Sequence, residues 1–282
     1  MKITLCAFAD EAADDIRGQI DALKRNNIAK IELRGLNGVN VKDLSLTDAQ
    51  KAQEAFAAAG ISVWSIGSPI GKSEIAGEFS EVQKSLDHIL ALCKIFRCDK
   101  IRIFSFFTSE HEKDEAEVLR RLRLLVSQAA EAGVKLYHEN EKDIFGDTAA
   151  HAEKVLGVEG IKSVYDPANY VQMGETPQNM ARMRGKADYF HIKDVLRSGE
   201  LVPAGKGDGE IPALIAELTA DAVFTLEPHL AVFSGYAAID KHEMKNMYEF
   251  ASRDEAFDAA VAALKGLLTA QGYREVAGGF EK

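Results

Sequence analysis

The amino-acid sequence predicts an α/β protein and, more specifically, a (β/α)₈ TIM barrel. Three observations favour this fold. The 282-residue chain alternates strictly between short aliphatic runs and longer amphipathic segments, and eight such pairs follow one another. No linker rich in Pro, Gly or Ser divides them, and the length suits a barrel of roughly 250 residues with a few extensions. Polar residues also follow the later strands, where barrel enzymes keep their sites.

The strand candidates are short runs of β-branched and aliphatic residues. They span residues 2–9, 30–35, 61–67, 99–105, 134–140, 162–168, 188–194 and 222–228. Their strict alternation with helical patterns predicts a parallel sheet with helical crossovers. Eight units favour closure of this sheet into a barrel, although alternation alone is compatible with an open sheet.

The segments between the strands carry apolar residues at helical spacing. The second of them begins with a cap signal at Thr47 and ends at Gly60. The last pattern, 240–273, is long enough for one helix or two, and residues 274–282 show no pattern. We therefore expect a single barrel domain over residues 1–282 with a C-terminal helical extension.

Composition limits the partners of the protein. The formal net charge of −10 repels phosphate backbones, which disfavours nucleic-acid binding. No stretch approaches the roughly 18 apolar residues of a membrane span, and the N-terminal run MKITLCAFADEAADD is a first strand rather than a secretory signal. The cysteines Cys6, Cys93 and Cys98 form no metal-binding pattern, which predicts buried reduced thiols and a cytoplasmic location.

Four of the later strand candidates end in ionisable residues. In chain order these are Glu139, Asp166, His191 and Glu227. A barrel strand that ends in such a residue directs its side chain into the mouth of the barrel. Burying three carboxylates close together is prohibitive unless a cation compensates their charge. The sequence therefore predicts a divalent metal site built from residues that are one βα unit apart.

The types of ligand residue limit the choice of metal only partly. Oxygen ligands with one imidazole suit Mn²⁺, our first expectation, as well as Mg²⁺ or Co²⁺, and they are compatible with Zn²⁺.

His138 is expected to be structural, because alternation turns it away from the mouth. The loop GKGDGE, 205–210, has the glycines and the lysine of a phosphate site, but a plain loop has the same composition. The remaining histidines of interest are expected on the surface: His88, His111, His151 and His242.

The ordered motifs resemble the xylose isomerase-like barrel superfamily, in particular its sugar (phosphate) isomerase and epimerase branch. The matching motifs are IELRG on the second strand, HEN on the fifth, YDPAN on the sixth, HIKD on the seventh followed by GKGDGEI, and LEP on the eighth. Each motif is weak alone, but together and at barrel spacing they are specific for the superfamily. The resemblance covers nearly the whole chain.

This resemblance implies a divalent-metal-dependent isomerase or epimerase of a sugar or sugar derivative, with proton transfer through a metal-stabilised enediolate. Glu139, Asp166, His191 and Glu227 correspond to the metal ligands of epimerases in this group. Glu139 and Glu227 would also be the catalytic residues that remove and return a proton on opposite faces of the substrate. Arg197 matches an arginine that contacts substrate oxygens.

Three further residues are predicted to contact a small sugar-like substrate. Lys193 lies on the same side of its strand as His191 and would hold a substrate hydroxyl or neutralise excess carboxylate. Glu32, at the end of the second strand, would accept a hydrogen bond in the mouth or pair with Arg34. Asn169 occupies the position where keto-sugar 3-epimerases usually carry a histidine.

Two departures from the family pattern leave the reaction open. Asn169 replaces that histidine, and Phe145 stands where the same epimerases tend to carry a second glutamate. A metal-dependent dehydratase of a keto-sugar or inosose on the same scaffold is therefore the alternative, and a non-catalytic sugar- or metal-binding barrel is a second one. The three-zinc DNA-repair endonucleases of the superfamily need histidines that the third and fourth strands lack. The sequence leaves a homo-oligomer open.

Overall fold

A closed barrel of eight parallel strands positions the site, so the predicted (β/α)₈ TIM barrel is confirmed. The computed structural model describes residues 1–232, 245 and 247–282. The barrel strands are β1 Lys2–Ala7, β2 Lys30–Leu33, β3 Ser62–Gly67, β4 Lys100–Ile103, β5 Lys135–Glu139, β6 Ile161–Tyr165, β7 Tyr189–Ile192 and β8 Ala222–Leu226. Each strand pairs with its neighbour along the chain, and β8 closes the barrel against β1. Every strand overlaps its predicted run.

Helices follow every barrel strand. They are α1 Ile16–Arg25, α2 Leu46–Ala58, α3 Phe79–Phe96, α4 His111–Glu131, α5 Ala149–Leu156, α6 Pro167–Gln172, α7 Pro177–Arg184, α8 Ile211–Ala216 and α9 Arg253–Ala270. The cap predicted at Thr47 was wrong, because the side chain of Ser45 accepts the amide of Asp48 and starts α2 earlier. No described helix has both the length and the apolar character needed to cross a membrane.

The C-terminal residues form an element that the sequence did not predict. A hairpin joins β9 Arg274–Val276 to β10 Gly279–Glu281. β10 pairs antiparallel with the first half of β1, and Phe280 is buried there. The glycine at 279 permits this close pairing, because a Cβ atom would collide with the carbonyl oxygen of Ile3. Of the pattern at 240–273, the described part forms the single helix α9, and residues 240–244 and 246 lie outside the described residues.

Apolar side chains fill the barrel and the layer between strands and helices, whereas buried charged side chains collect near the carboxyl ends of the strands. β7 illustrates the pattern, since all four of its residues are buried. The three cysteines are buried and form no disulfide, as predicted. Because these charged side chains are buried, they must compensate one another or bind an ion.

Candidate metal centre

The structure brings the four predicted metal ligands to one place at the barrel mouth. Glu139 ends β5, Asp166 and Glu227 directly follow β6 and β8, and His191 lies within β7. One ligand atom from each residue lies within 4.8 Å of the others, and all four residues are buried. Barrel closure is the cause, because it carries the carboxyl ends of four neighbouring strands to a common rim.

The local chain fixes Asp166 so that only one of its oxygens faces the cluster. Its Oδ1 accepts the amide of Asn169 at 3.1 Å and caps α6. The side chain of Asn140 donates a hydrogen bond to the backbone carbonyl of Asp166 and accepts one from its backbone amide, each at 2.9 Å. The remaining Oδ2 lies 2.8 Å from Nζ of Lys193. Asp166 can therefore offer one ligand atom without disturbing its helix.

Glu32 contacts the imidazole of His191 and fixes its orientation. Its Oε2 lies 3.2 Å from Nε2 of His191 and accepts a hydrogen bond from Thr225 at 3.0 Å, while its Oε1 accepts one from Tyr189 at 2.8 Å. With Nε2 donating to this carboxylate, Nδ1 is the nitrogen that faces the cluster and is available to a metal once its proton is displaced. A carboxylate that holds the far nitrogen of a histidine in this way is characteristic of metal sites.

The imidazole nitrogen Nδ1 lies between two glutamates. It is 3.2 Å from Oε1 of Glu139 and 2.9 Å from Oε2 of Glu227. These glutamates come from β5 and β8, so they approach the same point from different sides of the mouth. A ligand held at this point would have a carboxylate on each side.

Each of the four residues has one buried polar atom that makes no hydrogen bond of normal geometry within the described residues, although a charged group lies close to it. These atoms are Oε2 of Glu139, Oδ2 of Asp166, Nδ1 of His191 and Oε2 of Glu227. A buried polar atom left unsatisfied costs about 1–3 kcal/mol, so native structures rarely leave several together. Three carboxylate oxygens and one imidazole nitrogen are the ligand types that divalent cations accept. The residues therefore fit a bound metal ion.

The electrostatics of the cluster indicate a shortage of positive charge. Burial, together with Glu139 and Glu227, raises the pKa of Asp166 to about 7, although Lys193 opposes the rise. Burial opposes a positive charge on His191, yet Glu139 and Glu32 hold the pKa of that imidazole well above its ordinary value. A proton on His191 thus offsets the carboxylates, and a divalent cation at Nδ1 would take over that role.

Two arginines surround the glutamates and were not recognised from the sequence. Arg34 donates to Oε1 of Glu227 at 2.7 Å and also binds Asp10 and Glu11, instead of the predicted pairing with Glu32. Nε of Arg102 lies 3.3 Å from Oε2 of Glu139. The signal for Arg102 was available, because it is a charged residue inside the strand pattern DKIRIFS. The partners of Arg34 depend on barrel closure and left no local signal.

The residues predicted to contact substrate lie in different environments. Glu32 is buried and both its oxygens are occupied by barrel groups, so its geometry departs from the predicted substrate contact. Lys193 forms an ion pair with Asp166, as expected for a residue that neutralises excess carboxylate charge. Asn169 reaches Oε1 of Glu139 at 3.4 Å and stands beside the cluster. Arg197 is exposed in the loop after β7, and no ion pair joins it to the cluster within the described part of the chain.

His138 has the structural environment that was predicted for it. Its Nε2 lies 3.0 Å from the hydroxyl of Ser105, and the same hydroxyl accepts the amide of Gly146. Burial lowers the pKa of His138 to about 3, so the ring is neutral at physiological pH. The ring packs against Gly146, where a Cβ atom would collide with it.

The glycine-rich loop GKGDGE encloses a carboxylate of the protein itself. The amides of Gly205, Gly207 and Gly209 donate to Asp194 at 2.8–3.0 Å, and the amide of Val195 also donates to it. These backbone amides are the donors that a bound phosphate would need. The loop is therefore folded around Asp194, which favours the plain loop over the phosphate site that the motif also allowed.

Replacing Asp194 with alanine is expected to lower the free energy of unfolding by about 3 kcal/mol, because several backbone donors lose a charged acceptor. Urea unfolding followed by circular dichroism would measure the change. The matched control is Asp208→Ala in the same loop, whose carboxylate accepts a hydrogen bond from the exposed amide of Arg197 and from no other group in the described part of the chain. Equal stability of the two variants would contradict this account of the loop.

Comparisons with known proteins agree with the fold. The profile of a family described as xylose isomerase-like TIM barrel matches residues 20–267. A search of curated proteins gave no match.

Solved structures of the same fold cover almost the whole chain. The probable 3-DHS dehydratase AsbF from Bacillus anthracis is 16% identical, with a TM-score of 0.71 over 94% of this chain and 99% of that one. The IOLI protein with a binding zinc atom is 17% identical, with a TM-score of 0.73 over 95% and 98%. A D-psicose 3-epimerase studied with D-fructose is 14% identical, with a TM-score of 0.69 over 95% and 99%. At these identities the likeness shows the fold alone.

Proposed function

Because this chain belongs to the xylose isomerase-like TIM barrel family, we propose that it is a divalent-metal-dependent isomerase or epimerase of a sugar or sugar derivative. The observation that carries the proposal is the position of Glu139 and Glu227 on either side of Nδ1 of His191. Two carboxylates on two sides of a bound substrate can remove a proton from one face of a carbon and return it to the other.

The proposed metal ligands are Glu139, Asp166, His191 and Glu227, whose unsatisfied atoms fit a divalent cation. When bound, such a cation supplies Lewis acidity toward vicinal oxygens of the substrate. We favour Mn²⁺ on the ligand types, with Mg²⁺, Co²⁺ or Zn²⁺ as alternatives. The IOLI protein, which shares the fold, was crystallised with a zinc atom.

The surrounding residues hold Glu227 in the ionised state that a base requires. Burial alone would favour the neutral form of Glu227, but Lys193 and His191 hold the pKa of its carboxyl well below the ordinary value. Arg34 fixes one oxygen of the same carboxylate, which leaves the other to act. Asn169 borders Glu139 and has an amide oxygen with no described partner, which suits a substrate hydroxyl.

A dehydratase is the second candidate, and the likeness of the fold to the probable 3-DHS dehydratase AsbF favours it. Removal of the proton next to a carbonyl is the first step in both reactions, and the same two glutamates would serve. The reactions diverge at the next step, where either the proton returns to carbon or a β-hydroxyl leaves as water. The two products differ in mass by one water molecule.

The test is hydrogen exchange at carbon. The purified chain, reconstituted with Mn²⁺, is incubated in deuterated water with a panel of ketoses, aldoses and inosose-like compounds. We expect deuterium in at least one substrate or product of unchanged carbon skeleton, detected by mass spectrometry, and no incorporation when the metal is removed with a chelator.

Each outcome decides between the candidates. Incorporation with an isomeric product supports the isomerase or epimerase. Loss of water from the substrate supports the dehydratase instead. Binding of panel compounds without exchange or loss of water would leave a non-catalytic barrel and overturn the proposal.

A further inference from the structure

Two histidines and an aspartate meet at the starts of α4 and α5, outside the cluster at the barrel mouth. His111 is the first residue of α4, Asp147 lies in the loop before α5, and His151 lies in the first turn of α5. One ligand atom from each lies within 4.8 Å of the others. Nε2 of His111 is 3.2 Å from one oxygen of Asp147, and Nδ1 of His151 is 3.5 Å from the other.

The two imidazoles are held in place by neighbouring threonines. The hydroxyl of Thr108 lies 3.1 Å from Nδ1 of His111, which leaves Nε2 of that ring facing the aspartate. The hydroxyl of Thr148, which caps α5, lies 3.0 Å from Nδ1 of His151, the same nitrogen that faces Asp147. A partner on the far nitrogen, as Thr108 provides for His111, is typical of metal ligands. Both histidines were expected on the surface, and the structure places them there partly buried.

The aspartate carries the clearest sign of a cation site. Its side chain is only 9% exposed, yet Oδ1 accepts no hydrogen bond from any described residue. A buried carboxylate oxygen without a donor is costly, and a bound cation would remove that cost.

The cluster is partly exposed, so an ion can approach it from the solvent. The two imidazole rings are 4.6 Å apart and both pack against the ring of Phe145, which closes the inner side. The side chains of His111 and His151 are 22% and 20% exposed to solvent, so the cluster is accessible on that side. Water can complete the coordination there.

We propose that His111, Asp147 and His151 form a second metal site that takes Zn²⁺ with water as a further ligand. Two imidazoles and one carboxylate are a common ligand set for zinc. The ion would fasten the start of α4 to the loop that follows β5 and carries Asp147. This site shares no residue with the mouth cluster, so it is independent of the proposed reaction.

The test counts zinc ions bound by the full-length chain, using elemental analysis after equilibration with Zn²⁺ and gel filtration. We expect two equivalents for the unmodified chain and one for the double variant His111→Gln, His151→Gln. The mouth variant His191→Gln should also retain one, and the triple variant none. His88→Gln is the matched control, because its partly buried ring lies beside the carbonyl of Val41 instead; it should keep two equivalents.

Circular dichroism spectra verify that each variant is folded, and Asp147→Asn provides a milder second change that should also remove one equivalent. A chain whose zinc content is the same with and without His111 and His151 would overturn the second site. If His191→Gln changes nothing while the double variant loses one equivalent, the mouth proposal fails and the second site stands.

Discussion

Replacing Glu227 with glutamine is expected to lower the rate of hydrogen exchange at the substrate carbon by about 10²- to 10⁴-fold, the usual contribution of a general base. Glutamine keeps the size of the side chain, and its amide oxygen can still accept from Arg34, which binds Oε1 of the native residue at 2.7 Å. The amide cannot take a proton from carbon. Deuterium incorporation measured by mass spectrometry at saturating metal would give the rate.

The matched control for this variant is Glu175→Gln. Glu175 is also buried and accepts two hydrogen bonds, from the amide of Ala149 and the side chain of Asn179. It lies between α6 and α7, and its carboxylate contacts the start of α5 instead of the cluster. Its variant should keep the native exchange rate. If excess metal fully restores exchange in Glu227→Gln, the glutamate acts only as a ligand and its assignment as a base is wrong.

Replacing Glu32 with glutamine is expected to weaken metal binding by about 10- to 100-fold, the usual cost of losing the partner of a metal-bound histidine. The carboxylate of Glu32 faces three donors, from Tyr189, His191 and Thr225. A glutamine has one acceptor oxygen, so at least one donor loses its partner and the imidazole is no longer fixed. Calorimetric titration of the metal-free chain with Mn²⁺ would measure the affinity.

Thr225→Val is the control for the Glu32 variant, since it removes one hydroxyl donor and leaves the pair between Glu32 and His191 in place. Its effect on metal affinity should be much smaller. The sequence alone predicts a substrate contact for Glu32, and that role gives a different result: KM would rise while the metal affinity stayed the same.

The barrel and the four clustered side chains were predictable because their signals are local. Each predicted ligand follows directly on an apolar run, and the parallel arrangement places all such ends on one rim. Glu139 and Asp166, for example, belong to consecutive strands that pair side by side. Knowledge of the strand order was therefore enough to place them together.

The contacts around these residues depend on features that a linear pattern does not contain. Glu32 and His191 are 159 positions apart and belong to strands that are not neighbours in the sheet, so their contact exists only once the barrel has closed. The carboxylate of Asp194 accepts hydrogen bonds from the backbone amides of a loop whose glycines alone suggested a phosphate site. His111 and Asp147 meet because two helices start side by side on the same end of the barrel.

The manner in which the carboxylates are held limits the size of ion that the mouth can accept. Asp166 gives one oxygen to the first turn of α6, and Glu227 gives one to Arg34. Each can then bind an ion through a single oxygen, whereas Ca²⁺ prefers six to eight oxygens and often takes carboxylates through both. If the proposed site binds a metal, we therefore expect it to favour smaller divalent cations such as Mn²⁺ or Mg²⁺ over calcium.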